Sequence, residues 1–171
     1  MKDRFYPIDS ERGFIMGKSK IIHRADLIRD NGFEKGFGVY SMVCGATCGS
    51  TNIMLGDTIH NPASRNQEHV HLGCEVQWFV IAGHSLHYSC TVDHQEYKET
   101  ECFPGTVGYV HPNEIHVGMN LNADNTGEVI FCYAGCNSTD GAKTVFYQEA
   151  DVVEEYMRKR GKKLEDVLHI Q

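Results

Sequence analysis

A chain of 171 residues with 41% hydrophobic and 23% charged residues has the size and composition of one globular domain with a core of its own. The net charge of −7, with basic residues scattered until MRKRGKK at 157–163, repels phosphate backbones and argues against nucleic-acid binding as a main role. No run of about 18 apolar residues occurs, so no membrane span is expected, and the opening MKDRFYPIDSERG lacks an export signal, so a cytoplasmic protein is expected.

In chain order, RADLIRD (24–30) reads as a short helix. Short segments rich in β-branched and aromatic residues then follow at 37–44, 51–59, 75–82, 85–92, 105–111, 115–120, 128–134 and 143–148, separated by Gly, Asn, Asp and Pro. Such a run of strands predicts an all-β sandwich or barrel. The polar stretch NPASRNQE (61–68) has no periodicity and reads as the longest loop. Residues 149–160 place Val152, Val153, Tyr156 and Met157 on one helical face, with acids first, bases last and Gly161 as a cap. Leu164, Val167 and Leu168 continue that spacing, so one domain (1–171) is expected, with strands over about 36–148 and a helical segment over about 149–168.

The seven cysteines are an odd number, and without an export signal they are expected as reduced thiols, mostly buried. Cys44/Cys48 and Cys132/Cys136 are each separated by three residues rather than the two of a CxxC motif, and packing explains them better than zinc.

Two stretches carry chemistry. In QEHVHLGCE (67–75), an extended backbone points His69 and His71 to the same side, as a strand-based metal site requires; a pair of surface histidines is the alternative. In PGTVGYVHPNEIHVGMN (104–120), Pro112-Asn113 makes a turn, and His116 and Asn120 share a face of the next strand.

These stretches resemble the two motifs of the cupins, HxH followed after three or four residues by Glu and then a closing Gly, and G(x)5PxG(x)2H(x)3N. His69, His71, Glu75 and Gly83 match the first motif, with seven residues between Glu75 and Gly83 where the family usually has six, and with Ala63 in place of the leading glycine. Gly105, His116 and Asn120 match the second, in which His111 replaces the proline, Pro112 comes one place late and Asn113 stands for the glycine. The surplus residue before Gly83 reads either as a β-bulge or as a displaced Glu75, with Gln77 offering an oxygen instead.

The resemblance implies a conical, jelly-roll β-barrel, a homodimer, and one divalent metal in the lumen held by His69, His71, Glu75 and His116. Three imidazoles and a carboxylate suit Fe, Mn, Ni, Co or Zn and leave two positions open. With Glu75 inward, alternation brings Gln77, Phe79 and Ile81 to the same side, turns Trp78 outward, and sends Cys74 into packing behind the sheet. Gln77, Phe79, Gly118 and Asn120 are then substrate-pocket candidates, and Gln77, Tyr109 and His111 are candidate catalytic groups. Tyr133 is a further candidate for the pocket wall. His84 and His87, three apart on one strand, cannot both face the site. The family contains dioxygenases, decarboxylases, isomerases, lyases and non-catalytic binders. The expected function is a metal-dependent enzyme acting on a small oxygen-bearing molecule, with dioxygenase-type chemistry ahead of a non-redox isomerase, lyase or decarboxylase; a small-molecule-binding module is the alternative.

Overall fold

The computed structural model describes residues 19–30, 37–91, 96–112 and 114–146. The expected helical segment at 149–168 and the turn residue Asn113 lie outside the described residues.

Two antiparallel sheets face each other. The larger has the order β1 (Ile28–Asp30), β2 (Phe37–Val43), β3 (Ile53–His60), β10 (Gly127–Ala134), β5 (Glu75–Ala82), β8 (Val107–Val110). The smaller has the order β11 (Thr144–Phe146), β4 (His69–His71), β9 (Ile115–Asn120), β6 (Ser85–Cys90), β7 (Tyr97–Cys102). This is the jelly-roll barrel expected from the sequence. The chain changes sheet between β4 and β5 and again between β5 and β6. At the second crossing Gly83 takes φ +96, and a Cβ there would lie 2.9 Å from Gly127 Cα, so glycine is required. Ala63, at the place of the resemblance's leading glycine, adopts φ 48, a left-handed conformation glycine would take more readily.

One local expectation changes, and one strand is added to those expected. RADLIRD is not one helix: a 3-10 turn at Arg24–Asp26 leads into β1, and Arg24 reaches Asp57 and Glu128 at 3.2 Å, tying this edge to β3 and β10. The segment YKETEC, too charged to read as a strand, is β7 at the edge of the smaller sheet, where its polar side chains meet water. All seven cysteines are free. Cys44 caps the one-turn helix α1 (Gly45–Cys48), its Sγ accepting from Thr47 N while Thr47 Oγ1 accepts from Cys44 N.

The main core lies between the sheets and includes Val39, Met54, Cys74, Val76, Val110, Phe131 and Tyr133. Two of its aromatic rings rest on glycines directly opposite in register, Phe131 on Gly56 and Trp78 on Gly108. A Cβ would fall 2.3 Å from Phe131 Cζ at Gly56, and 2.0 Å from Trp78 Cε2 at Gly108. Gly108→Ala is therefore expected to cost about 1–3 kcal/mol through overpacking. Because Trp78 is the one tryptophan, its emission in a urea titration reads the change; an unmoved midpoint and spectrum would show that the ring does not depend on that glycine.

Candidate metal centre

His69 and His71 extend from β4 on one side, and register places His69 opposite His116 of β9. Side chains of directly paired residues share a face, so the three rings converge, with centroids 4.2 Å (His69–His116), 4.8 Å (His69–His71) and 5.1 Å (His71–His116) apart. All three are buried, and one ligand atom from each lies within 4.8 Å of the others.

Each ring is anchored through Nδ1. His69 Nδ1 lies 2.7 Å from the Gln67 carbonyl and His116 Nδ1 lies 3.1 Å from the Glu114 carbonyl. A carbonyl can only accept, so both Nδ1 atoms carry the proton and Nε2 keeps its lone pair. His71 Nδ1 stands 2.9 Å from Thr144 Oγ1, supplied by the neighbouring strand β11. Outer hydrogen bonds of this kind fix the tautomer and aim the free nitrogen at a cation.

Burial, with smaller contributions from the neighbouring imidazoles, lowers all three histidines from 6.5 to about 3. Burial likewise lowers His60 and His87 to about 4. All five are neutral at pH 7, the form that ligates a metal. The donor set therefore fits a divalent transition metal.

Glu75 does not join the triad. It is exposed at the start of β5, and its carboxylate interacts with the Tyr109 hydroxyl, whose pKa is raised by desolvation and by that charge. The inward side of β5 is Val76, Trp78, Val80 and Ala82, all lining the cavity between the sheets, whereas Phe79 is 40% exposed on the outer side. Every side assigned along this strand from Glu75 is thus reversed: Gln77, Phe79 and Ile81 leave the site, and Trp78 and Cys74 turn inward.

The physical cause is the crossing at 72–74, where the chain passes from one sheet to the other, so alternation counted from His71 does not carry into β5. With four residues after His71 instead of three, the inward place falls on Val76, and six residues then separate it from Gly83. Valine stands where the resemblance puts a carboxylate. A register step between Glu128 and Val129 leaves Ile81 without an opposite residue, a bulge that does not bring Glu75 inward.

Tyr109 and His111 are also outside the cavity. Tyr109 is 45% exposed, with the His111 ring 4.8 Å away, while their neighbours Gly108 and Val110 face in, beneath Trp78 and into the core. Gly118 does line the cavity, and a Cβ there would meet His60 Cε1 at an ordinary 3.6 Å. Asn120 lines it too, but its amide is committed to structure: Nδ2 donates to the Asn61 and Asn125 carbonyls (3.0 and 2.8 Å), and Oδ1 accepts from Asn122 N at 3.1 Å.

Tyr133 lines the cavity 4.8 Å from His71, its pKa raised by burial among thiols, so its hydroxyl stays protonated. His84 points away and pairs with Glu101 at 3.0 Å, whereas His87 faces in, 6.1 Å from His116. His60 and Asn66 also line the cavity, with Asn66 Oδ1 accepting from Gly118 N at 2.7 Å. Period two along β3 and β6 could have suggested His60 and His87, but only strand pairing shows which side is inner.

The described residues lining this cavity of about 110 Å³ include no Asp, Glu, Lys or Arg. Its size is of the order of the ~150 Å³ pocket that takes up benzene in an engineered protein.

No family model matches the sequence, and no curated protein matches it. Among solved structures, one similar to this chain is a Bacillus subtilis oxalate decarboxylase studied for its Mn(II) centres, 15% identical, with TM-score 0.58, 80% of this chain covered and 35% of that one. Another is a recombinant oxalate oxidase in complex with glycolate, 14% identical, TM-score 0.57, covering 72% of this chain and 66% of that one. A third is Peruvianin-I, described as a cysteine peptidase from Thevetia peruviana latex, 12% identical, TM-score 0.59, covering 68% and 71%. The chain spans about a third of the decarboxylase. At these identities the likeness shows the fold: this chain has the cupin fold. No helix among the described residues is long and apolar enough to cross a membrane.

Two outcomes test the centre. His116→Ala should lower metal affinity by on the order of 100-fold or more, and Thr144→Val by about 10–100-fold, whereas Glu75→Gln should leave loading unchanged in elemental analysis; loss of metal in Glu75→Gln would restore that carboxylate as a ligand. In metal-stripped protein, the unfolded chain takes up protons at the buried histidines below pH 6.5 while the folded chain does so only near 3–4. Stability is therefore full above pH 6.5 and declines as pH falls from there toward 3–4. A Tm that stays level between pH 7 and 4.5 would contradict the burial of neutral rings.

Proposed function

We propose that this cupin-fold chain is a metal-dependent enzyme whose His69, His71 and His116 hold one divalent transition metal against a small oxygen-bearing organic substrate. The observation that carries this reading is the convergence of three buried, Nδ1-anchored histidines on one side of a cavity whose described lining residues include no Asp, Glu, Lys or Arg. A divalent cation there supplies a Lewis acid with positions open to chelating oxygens.

This chain's own residues contribute the rest. Three neutral ligands leave the cation's charge uncompensated, which favours a substrate that chelates as an anion, such as an enolate or a deprotonated hydroxy-ketone. Tyr133, protonated and with its ring 4.8 Å from that of His71, adds a polar side chain to the cavity lining. Val76, Val80 and Phe131 line the walls and exclude bulk water.

Within this reading, oxygen-dependent cleavage of the chelated substrate stands first. A non-redox decarboxylase, lyase or isomerase stands second, supported by the cupin-fold decarboxylase among the similar structures. The reading includes a homodimer, with Phe79, Ile81, Val107 and Tyr109 on the outer face of β5 and β8 as the apolar strip a second copy would cover.

The test is elemental analysis of protein purified with and without air, followed by oxygen uptake with diketones, catechols and hydroxy acids. Uptake with a chelating diketone or hydroxy-ketone, lost in His116→Ala, is the expected result. Protein that carries no metal and cannot be loaded would sink the reading, and metal-loaded protein that turns over substrate without consuming oxygen would establish the non-redox alternative.

A further inference from the structure

Beyond the triad, three cavity-lining side chains carry polar atoms that are buried without a hydrogen-bond partner: Trp78 Nε1, His87 Nε2 and His60 Nδ1. Unpaired buried polar atoms are uncommon and costly in native structures, and these come from three different strands. Trp78 and His87 face each other across the sheets with ring centroids 5.0 Å apart. His87 is the register partner of Gly118, and the space above Gly118 is bounded by His60 Cε1. His60 is 7% exposed, with its ring held edge-on by Phe37 at 4.6 Å.

Gly118 is the next inward residue of β9 after His116, so His87, opposite it, stands one inward position beyond the triad, its ring 6.1 Å from that of His116. Gly118 carries no side chain there, and the atoms nearest to where a Cβ would stand are His60 Cε1 at 3.6 Å and Asn66 Oδ1 at 3.8 Å. We propose that Trp78, His87 and His60 form a second polar anchor in the cavity, and that the natural ligand is a chelator carrying an uncharged oxygen, a hydroxyl or carbonyl, at the end remote from the triad.

The chemistry of the anchor selects this class. The indole N–H only donates, so it calls for an acceptor, and a neutral imidazole nitrogen can donate to the same oxygen or accept from its hydroxyl. A carboxylate at that end would find no Lys or Arg among the described lining residues and would be buried unpaired. A methyl group would leave all three polar atoms orphaned. This inference rests on the proposed metal centre, whose failure would appear separately as a failure to load.

Three pyranones sharing one chelating hydroxy-ketone make the test: kojic acid with a remote hydroxymethyl, allomaltol with a methyl there, and comenic acid with a carboxylate. Calorimetric titration of Zn(II)-loaded protein measures affinity without turnover. Kojic acid is expected to bind about tenfold more tightly than allomaltol, with comenic acid weaker than kojic acid. Trp78→Phe and His87→Phe should each collapse the kojic acid preference toward unity while zinc content and allomaltol affinity stay at wild-type values.

Equal affinities for kojic acid and allomaltol in the unaltered protein, tightest binding by comenic acid, or a preference that survives both substitutions would each overturn the proposal. The wild-type comparison needs no variant, so it decides even if replacement of Trp78 prevents folding. Protein that takes up no zinc overturns the metal centre and this inference together, whereas zinc uptake without preference overturns the anchor alone.

Discussion

The pairing of β4 with β9 is the constraint on which the rest of the site depends. It sets His69 opposite His116, and period-two alternation then brings His71 to the same face. A slip of one residue in that pairing would turn His116 out and put Ile115 or Val117 in its place. The short β11 on the other side of β4 contributes Thr144 to His71. Gly118, the next inward residue of β9, lies opposite His87 and beneath His60.

Charge at the centre follows from that arrangement. Five buried histidines in one cavity would be untenable if protonated, and desolvation keeps them neutral. Valine at position 76 removes the carboxylate that would otherwise offset a cation's charge inside the barrel. In the proposed function, that apolar side chain is what would leave a bound cation's charge open to an anionic chelator. The described lining residues, with no Asp, Glu, Lys or Arg among them, offer hydrogen bonds rather than ion pairs.

Most strands were legible because their β-branched and aromatic residues stand out against polar turns. β7 was not, because an edge strand facing water carries Lys98, Glu99 and Glu101, and β1 was not, because RADLIRD has a helical spacing that the edge of a sheet overrides. The triad was legible because His69 and His71 lie on one strand and His116 begins another. Glu75 was misplaced because the motif match took it as the inward carboxylate, and spacing across residues 72–74, where the chain changes sheets, does not fix which side the next strand presents. One wrong parity then reversed Gln77, Phe79, Ile81 and Trp78 together.

The amino-acid sequence by itself determined the strand-rich class, the free thiols and the three histidines, since each follows from residue type and local spacing. The tertiary structure decided which face of β5 looks inward, that Val76 rather than Glu75 meets the cavity, and that His60, Trp78 and His87 line the same cavity as the triad. Those facts depend on which strands pair and where the chain passes between sheets, and such long-range register is not written in the spacing of any one segment.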